Sequence, residues 1–187
     1  MDKRIVINML SNADKVEGQG VGSAYLEQVK LVSEGASDLF DVRINSVKKA
    51  DIVHSHTIEP QNYLRMKNNK NANVCYVHFL PDTLDGSIQL PKALFHVFKK
   101  YVISFYKTAD YLIVVNPTFM KELETYDIPK EKMVYIPNYV SKEDFYEKSE
   151  EERFAIRKKY GITEDAFVVI GVGQVQTRKG VLDFIEV

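Results

Sequence analysis

The sequence has 187 residues, of which 45% are hydrophobic and 27% charged, and its formal net charge is −1. This length and composition are typical of a globular protein with one sizeable domain and part of a second, and the near-zero charge argues against nucleic acid as a partner. The sequence indicates neither a membrane-spanning helix nor a secretory signal peptide, and its single cysteine fits a reducing cytosol.

Short runs of β-branched and aromatic residues predict seven strands, several of which are continuous apolar runs typical of a parallel sheet buried on both faces. The predicted strands are residues 4–10, 40–45, 51–55, 74–79, 111–115, 134–136 and 167–172. Helical patterns lie between them, at residues 23–33, 94–107, 118–126 and 150–160. This alternation predicts an α/β fold with a Rossmann-like parallel sheet and helices on both faces.

The stretch NYVSKEDFYEKSEEE, residues 138–152, is polar and acidic. It predicts either a surface loop with a helix start or a connection between domains. In the second interpretation, residues 1–147 form an N-terminal domain and residues 148–187 begin a C-terminal domain that this sequence does not complete.

A glycine-rich stretch, EGQGVGSAYLEQV, follows the first predicted strand. Gly18, Gly20 and Gly22 permit close approach of a ligand, and a helix starting near Ser23 would direct free N–H groups toward a phosphate or sugar hydroxyl. A tight strand–helix turn without a ligand is the alternative. The spacing differs from the G-x-G-x-x-G pattern of dinucleotide sites.

Three histidines fall at the ends of two predicted strands. His54 and His56 alternate in DIVHSH, so both side chains point to one face of the sheet, and His78 ends the next strand in CYVHFLP. An H-x-H pair occurs in zinc sites, but no suitable third ligand is evident, so no metal site is predicted. We expect one histidine of the pair to be a core group with its hydrogen bonds satisfied and the other to reach a ligand cleft.

The stretch LPKALFHVFKKYVISFYK, residues 90–107, predicts a helix with a wide apolar face bordered by lysines. Such a helix can lie in the interface of an anionic membrane, with rings among the headgroups and ammonium groups at the rim. The alternative is a core helix with a solvated lysine face. The predicted membrane-interface residues are Lys92, Phe95, Phe98, Lys99, Lys100, Tyr101, Phe105 and Lys107.

The last stretch, GVGQVQTRKGVLDFIEV, places two glycines and the cations Arg178 and Lys179 between a predicted strand and a helix start. Cations and a helix N-terminus together favour a diphosphate, so this loop is a candidate diphosphate site.

In this order along the chain, the motifs GQGVG, DIVHSH, CYVHFLP, VYIPNYV and GVGQVQTRKG resemble family 4 glycosyltransferases, which have the two-domain GT-B fold. Within that family, the tail and the basic helix are most similar to bacterial diacylglycerol glucosyltransferases. The resemblance implies that the chain is the N-terminal half of such an enzyme, with an acceptor-binding N-terminal domain and a nucleotide-sugar-binding C-terminal domain.

The resemblance also implies roles for particular residues. Lys179 corresponds to the family's basic donor-phosphate residue; Gln174 occupies the position where arginine is usual, with Arg178 nearby as a replacement. The remaining implied roles are a catalytic one for His78, donor binding for Gly20, Val21 and Gly22, and contacts in the acceptor cleft for His56 and Asn138.

The implied reaction is retaining transfer of a sugar, glucose by resemblance, from a UDP-sugar to diacylglycerol, without a metal or other cofactor. The implied setting is the cytoplasm, with peripheral attachment to the inner face of the cell membrane. The family's downstream pair of glutamates is absent, so we expect residues 1–187 to be inactive alone. A polysaccharide or wall-polymer acceptor and a non-enzymatic nucleotide-binding module remain the alternatives.

Overall fold

The structure, a computed structural model, describes residues 3–13, 20–84, 90–143, 145–172, 175 and 180–186. The chain divides into two compact units, Met1–Tyr139 and Val140–Val187, which are described separately. The elements in chain order are β1 (Ile5–Leu10), α1 (Gly20–Gly35), β2 (Phe40–Ile44), β3 (Ile52–Ser55), α2 (Pro60–Asn68), β4 (Ala72–Val77), α3 (Lys92–Lys107), β5 (Tyr111–Val114), α4 (Pro117–Glu124), β6 (Met133–Tyr135), α5 (Glu150–Lys159) and α6 (Val181–Glu186).

The first unit is built on a six-stranded sheet in the order β2-β1-β3-β4-β5-β6. All five strand pairs are parallel, so the carboxyl ends of all six strands lie at one edge of the sheet. Six of the seven predicted strands are therefore confirmed, with ends that shift by one or two residues.

Side chains alternate between two packed faces of this sheet. Along β1, Ile7 and Met9 pack with Tyr25 of α1 on one face. Leu10 belongs to a larger cluster on the other face, which draws on α2, α3 and α4. Cys75, in the middle of β4, is fully buried in that larger cluster. Helices thus cover both faces, and the predicted Rossmann-like architecture is confirmed.

The connection from β2 to β3 crosses the end of β1 without a helix. Asn45, with a φ of 49°, accepts a hydrogen bond from the Ser11 backbone N–H at 3.1 Å and donates one to the Ser11 carbonyl at 2.8 Å. The Asn8 side chain bonds both backbone groups of Ser46. Asn45 and Ser46 follow the second strand, at the position where a dinucleotide site would have an acidic residue that binds the ribose. In this chain they bind the connection to β1 instead.

Helix starts follow local capping chemistry. The Asn116 side chain accepts a hydrogen bond from the Thr118 N–H at 2.9 Å, and proline begins α4 at the first helical position. Helix α2, Pro60–Asn68, was not predicted from the sequence, and most of its residues are polar. Proline at its start and the cations Arg65 and Lys67 in its last turn are the signals that indicate it.

The first helix of the second unit is α5, which confirms the predicted helix at 150–160, and a capping box of Ser149 and Glu152 starts it. Gly161, with a φ of 68°, ends it. The predicted strand 167–172 is wrong, since these residues form no strand and Phe167 is 92% exposed. A strand requires a hydrogen-bonded neighbour, and the described residues of this unit supply none.

Candidate functional site

Five aromatic rings, four from β3, β4 and the residues that follow them and one from α1, lie together at the carboxyl ends of β3 and β4. The Tyr76 ring stacks on His78, with centroids 4.6 Å apart, and on His56, with centroids 5.0 Å apart. His54 approaches His56 to 4.5 Å, while Tyr25 of α1 meets His56 edge-on at 5.0 Å. The pleat produces this grouping, because alternate residues of neighbouring parallel strands share one face.

The imidazoles of this cluster are buried with free hydrogen-bonding capacity. Among the described residues, neither ring nitrogen of His56 has a hydrogen-bond partner, and Nε2 is unpartnered in both His54 and His78. His54 and His56 are only 4% and 2% exposed. Buried polar atoms without partners are costly, so these ring nitrogens have the capacity to bond a water molecule or a ligand at the strand ends.

Burial keeps these imidazoles neutral. It lowers the pKa of His78 from 6.5 to about 4. Burial and then the charge of His78 lower the pKa of His54 to about 4. The pKa of His56 is lowered further, by burial and then by the charges of His54 and His78. A neutral imidazole offers one N–H donor and one acceptor, which suits it to bind a hydroxyl group.

The two histidines of the H-x-H pair lie in different surroundings, although the core one does not have all its hydrogen bonds satisfied among the described residues. His54 lies inside the core, whereas His56 lines a cavity of about 360 Å³. Within the part of the chain that the structure describes, no group of three or more His, Cys, Asp or Glu side chains could hold a metal ion.

The cavity beside His56 joins the strand ends to α3. Its walls are largely apolar, with His56 and Glu59 as its ionisable lining residues besides Tyr101. The lining residues are Ala13, Val21, His56, Thr57, Ile58, Glu59, Pro60, Phe79, Phe98 and Tyr101. An apolar pocket with a few polar groups at one end is the usual form of a small-molecule site.

The predicted membrane face of α3 requires correction. Phe105 is fully buried, where it packs against Tyr63 with ring centroids 5.8 Å apart, so it cannot insert into a membrane. Phe98 and Tyr101 line the cavity, and the Tyr101 hydroxyl donates to the Ile58 carbonyl. The C-terminal half of the helix is therefore core packing, because its apolar residues meet α2 and the sheet.

The N-terminal half of α3 retains an exposed apolar and basic surface. Leu94 and Val97 are 56% and 63% exposed, and Phe95 is half-buried. Lys92 and Lys100 are exposed, whereas Lys99 forms an ion pair with Asp82 at 2.6 Å and Lys107 lies 3.8 Å from Asp127.

The glycine-rich stretch is partly described. Helix α1 begins at Gly20, three residues earlier than predicted, so Gly20 and Gly22 belong to its first turn rather than to a loop. Val21 lines the cavity with His56. Gly18 lies outside the described residues.

The other predicted donor residues, Gln174, Arg178 and Lys179, also lie outside the described residues. Asn138 is exposed, two positions after Ile136, whose carbonyl accepts a hydrogen bond from Tyr76 at 3.4 Å.

Sequence reasoning missed Tyr76 and Glu59. Tyr76 is two residues before His78 on the same strand, and this period-2 spacing places both rings on one face of the sheet. Glu59 directly precedes α2, so recognising that helix would have placed its side chain at the strand ends.

Comparison with known proteins gives a consistent result. The family described as Glycosyltransferase Family 4 matches residues 35–144. An alpha-galactosylglucosyldiacylglycerol synthase of Streptococcus pneumoniae (strain ATCC BAA-255 / R6) is 45% identical over 98% of this chain and 50% of its own length. A processive diacylglycerol alpha-glucosyltransferase of Acholeplasma laidlawii is 29% identical over 90% of this chain and 49% of its own length.

Solved structures share the fold at low identity. Anabaena Alr3699/HepE in complex with UDP and glucose superposes with a TM-score of 0.55 at 12% identity, over 84% of this chain and 50% of that one. The same protein with UDP-glucose gives 0.56 at 11% identity, with the same coverage. The chain spans about half the length of the curated relatives it matches. None of the helices described here is both long and apolar enough to cross a membrane.

Proposed function

The chain belongs to glycosyltransferase family 4, and we propose that the whole protein transfers a hexose from a UDP-sugar to a diacylglycerol lipid, with retention at the anomeric carbon. The whole protein here means the longest polypeptide that contains this chain. The observation that carries the proposal is the cavity that runs from His56 to the apolar side chains of α3.

This cavity fits an acceptor that is apolar except at one end. Phe79, Phe98 and Ile58 supply apolar contacts, and His56 supplies unpartnered ring nitrogens. A lipid with a single free hydroxyl has this division of polarity. Both relatives described above carry diacylglycerol in their names, which supports a lipid over a polysaccharide acceptor.

Two pairs of donor sugar and lipid acceptor are compatible with the proposed reaction. The resemblance of the sequence motifs favours glucose as the sugar and diacylglycerol as the acceptor. The 45% identical relative is named for a product with two sugars, which favours a second candidate, transfer of galactose to glucosyldiacylglycerol. Both versions place an acceptor hydroxyl beside His56 and His78, whose neutral rings are suited to orient it.

Donor binding is proposed at the first turn of α1 and in the second unit. Gly20, Val21 and Gly22 begin α1 after β1, so their backbone N–H groups are among those the helix leaves unbonded. The diphosphate would be held by the cations Arg178 and Lys179, which stabilise the negative charge of the leaving group, and by hydrogen bonds from Gln174. Asn138 is proposed to face the cleft, and no cofactor besides the nucleotide-sugar is required.

Membrane contact is proposed through the N-terminal half of α3. Lys92 and Lys100 are exposed cations beside exposed Leu94 and Val97, a combination that fits an anionic lipid surface. Peripheral attachment to the cytoplasmic face of the cell membrane would bring the acceptor, which stays in the bilayer, to the cavity.

A transfer assay tests the proposal. The whole protein is incubated with UDP-glucose or UDP-galactose and with diacylglycerol or glucosyldiacylglycerol in mixed micelles, and the lipid products are separated. We expect one donor–acceptor pair to give a glycolipid with retained configuration. Residues 1–187 alone should give none, because donor residues of the family lie downstream. Transfer to neither lipid would refute the proposed acceptor class.

A further inference from the structure

Glu59 stands where β3 leads into α2, and its side chain lines the same cavity as His56. It occupies the N-cap position of α2, but its side chain makes no capping hydrogen bond. Instead, Oε2 accepts hydrogen bonds from Thr57 Oγ1 at 2.5 Å and from Asn62 Nδ2 at 2.7 Å. Two neutral donors therefore orient the carboxylate. One of them, Asn62, is itself held in place by burial, with only 1% of it exposed.

The second carboxylate oxygen is free to accept a further bond. Among the described residues, Oε1 receives no hydrogen bond, and Glu59 forms no ion pair. The Tyr101 hydroxyl, which lies near enough for the charge of Glu59 to help raise its pKa after burial, donates to the Ile58 carbonyl instead. A charged oxygen with spare capacity thus borders an otherwise apolar cavity.

Two ionisable groups that line the cavity, Glu59 and His56, complement each other. A carboxylate accepts hydrogen bonds only, whereas the neutral His56 ring can donate one through its N–H. An alcohol is the simplest ligand that donates to the first group and accepts from the second.

We infer that Glu59 Oε1 accepts a hydrogen bond from the acceptor hydroxyl that receives the sugar, and thereby orients it beside His56. This inference rests on the proposed function. It assigns to Glu59 acceptor binding, and it applies equally to a glycerol hydroxyl and to a hydroxyl of a lipid-linked sugar.

The test is the substitution Glu59→Gln in the whole protein, with Glu124→Gln on the exposed side of α4 as the matched control. Glutamine keeps an oxygen that Thr57 and Asn62 can bond but removes the negative charge. Initial rates are measured over a range of acceptor and donor concentrations, and thermal unfolding is recorded for each protein.

We expect kcat/KM for the lipid acceptor to fall about 10- to 100-fold in Glu59→Gln, with the KM of the UDP-sugar and the unfolding midpoint close to those of the parent. Glu124→Gln should match the parent throughout. If Glu59→Gln lowers the unfolding midpoint, Glu59→Asp is measured as well. Aspartate keeps the negative charge, but its shorter side chain moves the carboxylate away from the acceptor. Glu59→Asp should therefore lower kcat/KM for the lipid acceptor without changing the KM of the UDP-sugar.

The outcomes separate the inference from the function on which it rests. A parent that transfers sugar to a diacylglycerol lipid, combined with unchanged acceptor kinetics in Glu59→Gln, overturns the inference alone. An equal loss for donor and acceptor also overturns it, because that pattern indicates a structural role. A parent that transfers sugar to no diacylglycerol lipid overturns the proposed function and this inference with it.

Discussion

The phenol ring of Tyr76 lies parallel to the imidazole of His78, with centroids 4.6 Å apart and an interplanar angle of 15°. The same phenol stacks on His56 at an angle of 17°. Tyr76 therefore holds both imidazoles that the proposed reaction uses, although its own hydroxyl points away and bonds the Ile136 carbonyl at 3.4 Å. Ring stacking, rather than the hydroxyl, is its contribution to the site.

This arrangement predicts different effects for two substitutions of Tyr76. Tyr76→Phe keeps the stacked ring and loses one long hydrogen bond, so kcat of the whole protein should change less than about 3-fold. Tyr76→Leu removes the ring, and kcat should fall roughly 10-fold or more because the imidazoles lose their orientation. Steady-state transfer assays check both, and equal losses in the two variants would contradict the stacking role.

Stability should fall in mild acid because of the buried histidines. The pKa of His54 and His78 is lowered to about 4 in the folded protein, while the unfolded chain binds protons near pH 6.5. Their contribution is complete above pH 6.5 and is lost as the pH falls toward 4. Each histidine can contribute a slope of up to about 1.4 kcal/mol per pH unit in the free energy of unfolding.

Urea unfolding at several pH values measures this slope. His54→Gln should flatten the slope between pH 6.5 and 4, whereas His96→Gln, at an exposed position of α3, serves as the control. A slope that is the same in the parent and in His54→Gln would show that His54 takes up its proton without cost to the fold.

The burial of Phe105 gives a prediction for α3. Phe105→Ala should lower the free energy of unfolding by about 3–5 kcal/mol, because it empties a position that is fully enclosed. Leu94→Ala, at an exposed position of the same helix, should change it by less than about 1 kcal/mol. Chemical denaturation measures both. A small effect of Phe105→Ala would contradict the burial of this ring and indicate that it lies on the exposed surface of the helix.

Vesicle binding should depend on the lysines of α3. Changing Lys92, Lys99, Lys100 and Lys107 to glutamine should weaken binding to anionic vesicles. Lys92 and Lys100, which form no ion pair with any described residue, would contribute about 1 kcal/mol each, or roughly 30-fold together. Vesicle flotation at low and high salt measures this, and salt should weaken the binding of the parent.

The matched control for this experiment carries the same change of charge elsewhere. Lys48, Lys49, Lys70 and Lys121 are exposed lysines outside α3, so their replacement by glutamine should leave vesicle binding closer to that of the parent. Equal losses in the two quadruple variants would mean that overall charge, and not this helix, draws the protein to the membrane.

Strands in the first unit could be predicted because their signal is local. Continuous apolar runs such as the one around Cys75 are buried on both faces, and each run found a parallel neighbour. Residues 167–172 carry the same kind of run, yet they form no strand in the described second unit. The difference lies in the partner, which a local pattern does not reveal.

The part of the site that could be predicted from the sequence is the part that the strands position. Alternation along β3 placed His54 and His56 on one face, and the strand ends brought His78 beside them. The wide apolar arc of α3 could not be divided by sequence alone, because a membrane face and a core face have the same composition. Only packing against α2 and the sheet distinguishes Phe105 from Leu94.

Because Cys75 is the single cysteine and is buried, the reactivity of its thiol can be used to measure opening of the central sheet. Cys75 is fully enclosed in β4, and burial raises the pKa of its thiol, so the reactive thiolate is scarce while the sheet is intact. A thiol reagent can then modify the protein only when β4 opens. The rate of modification would therefore record how often the strands beneath the histidine cluster separate, without a cysteine having to be engineered into the sheet.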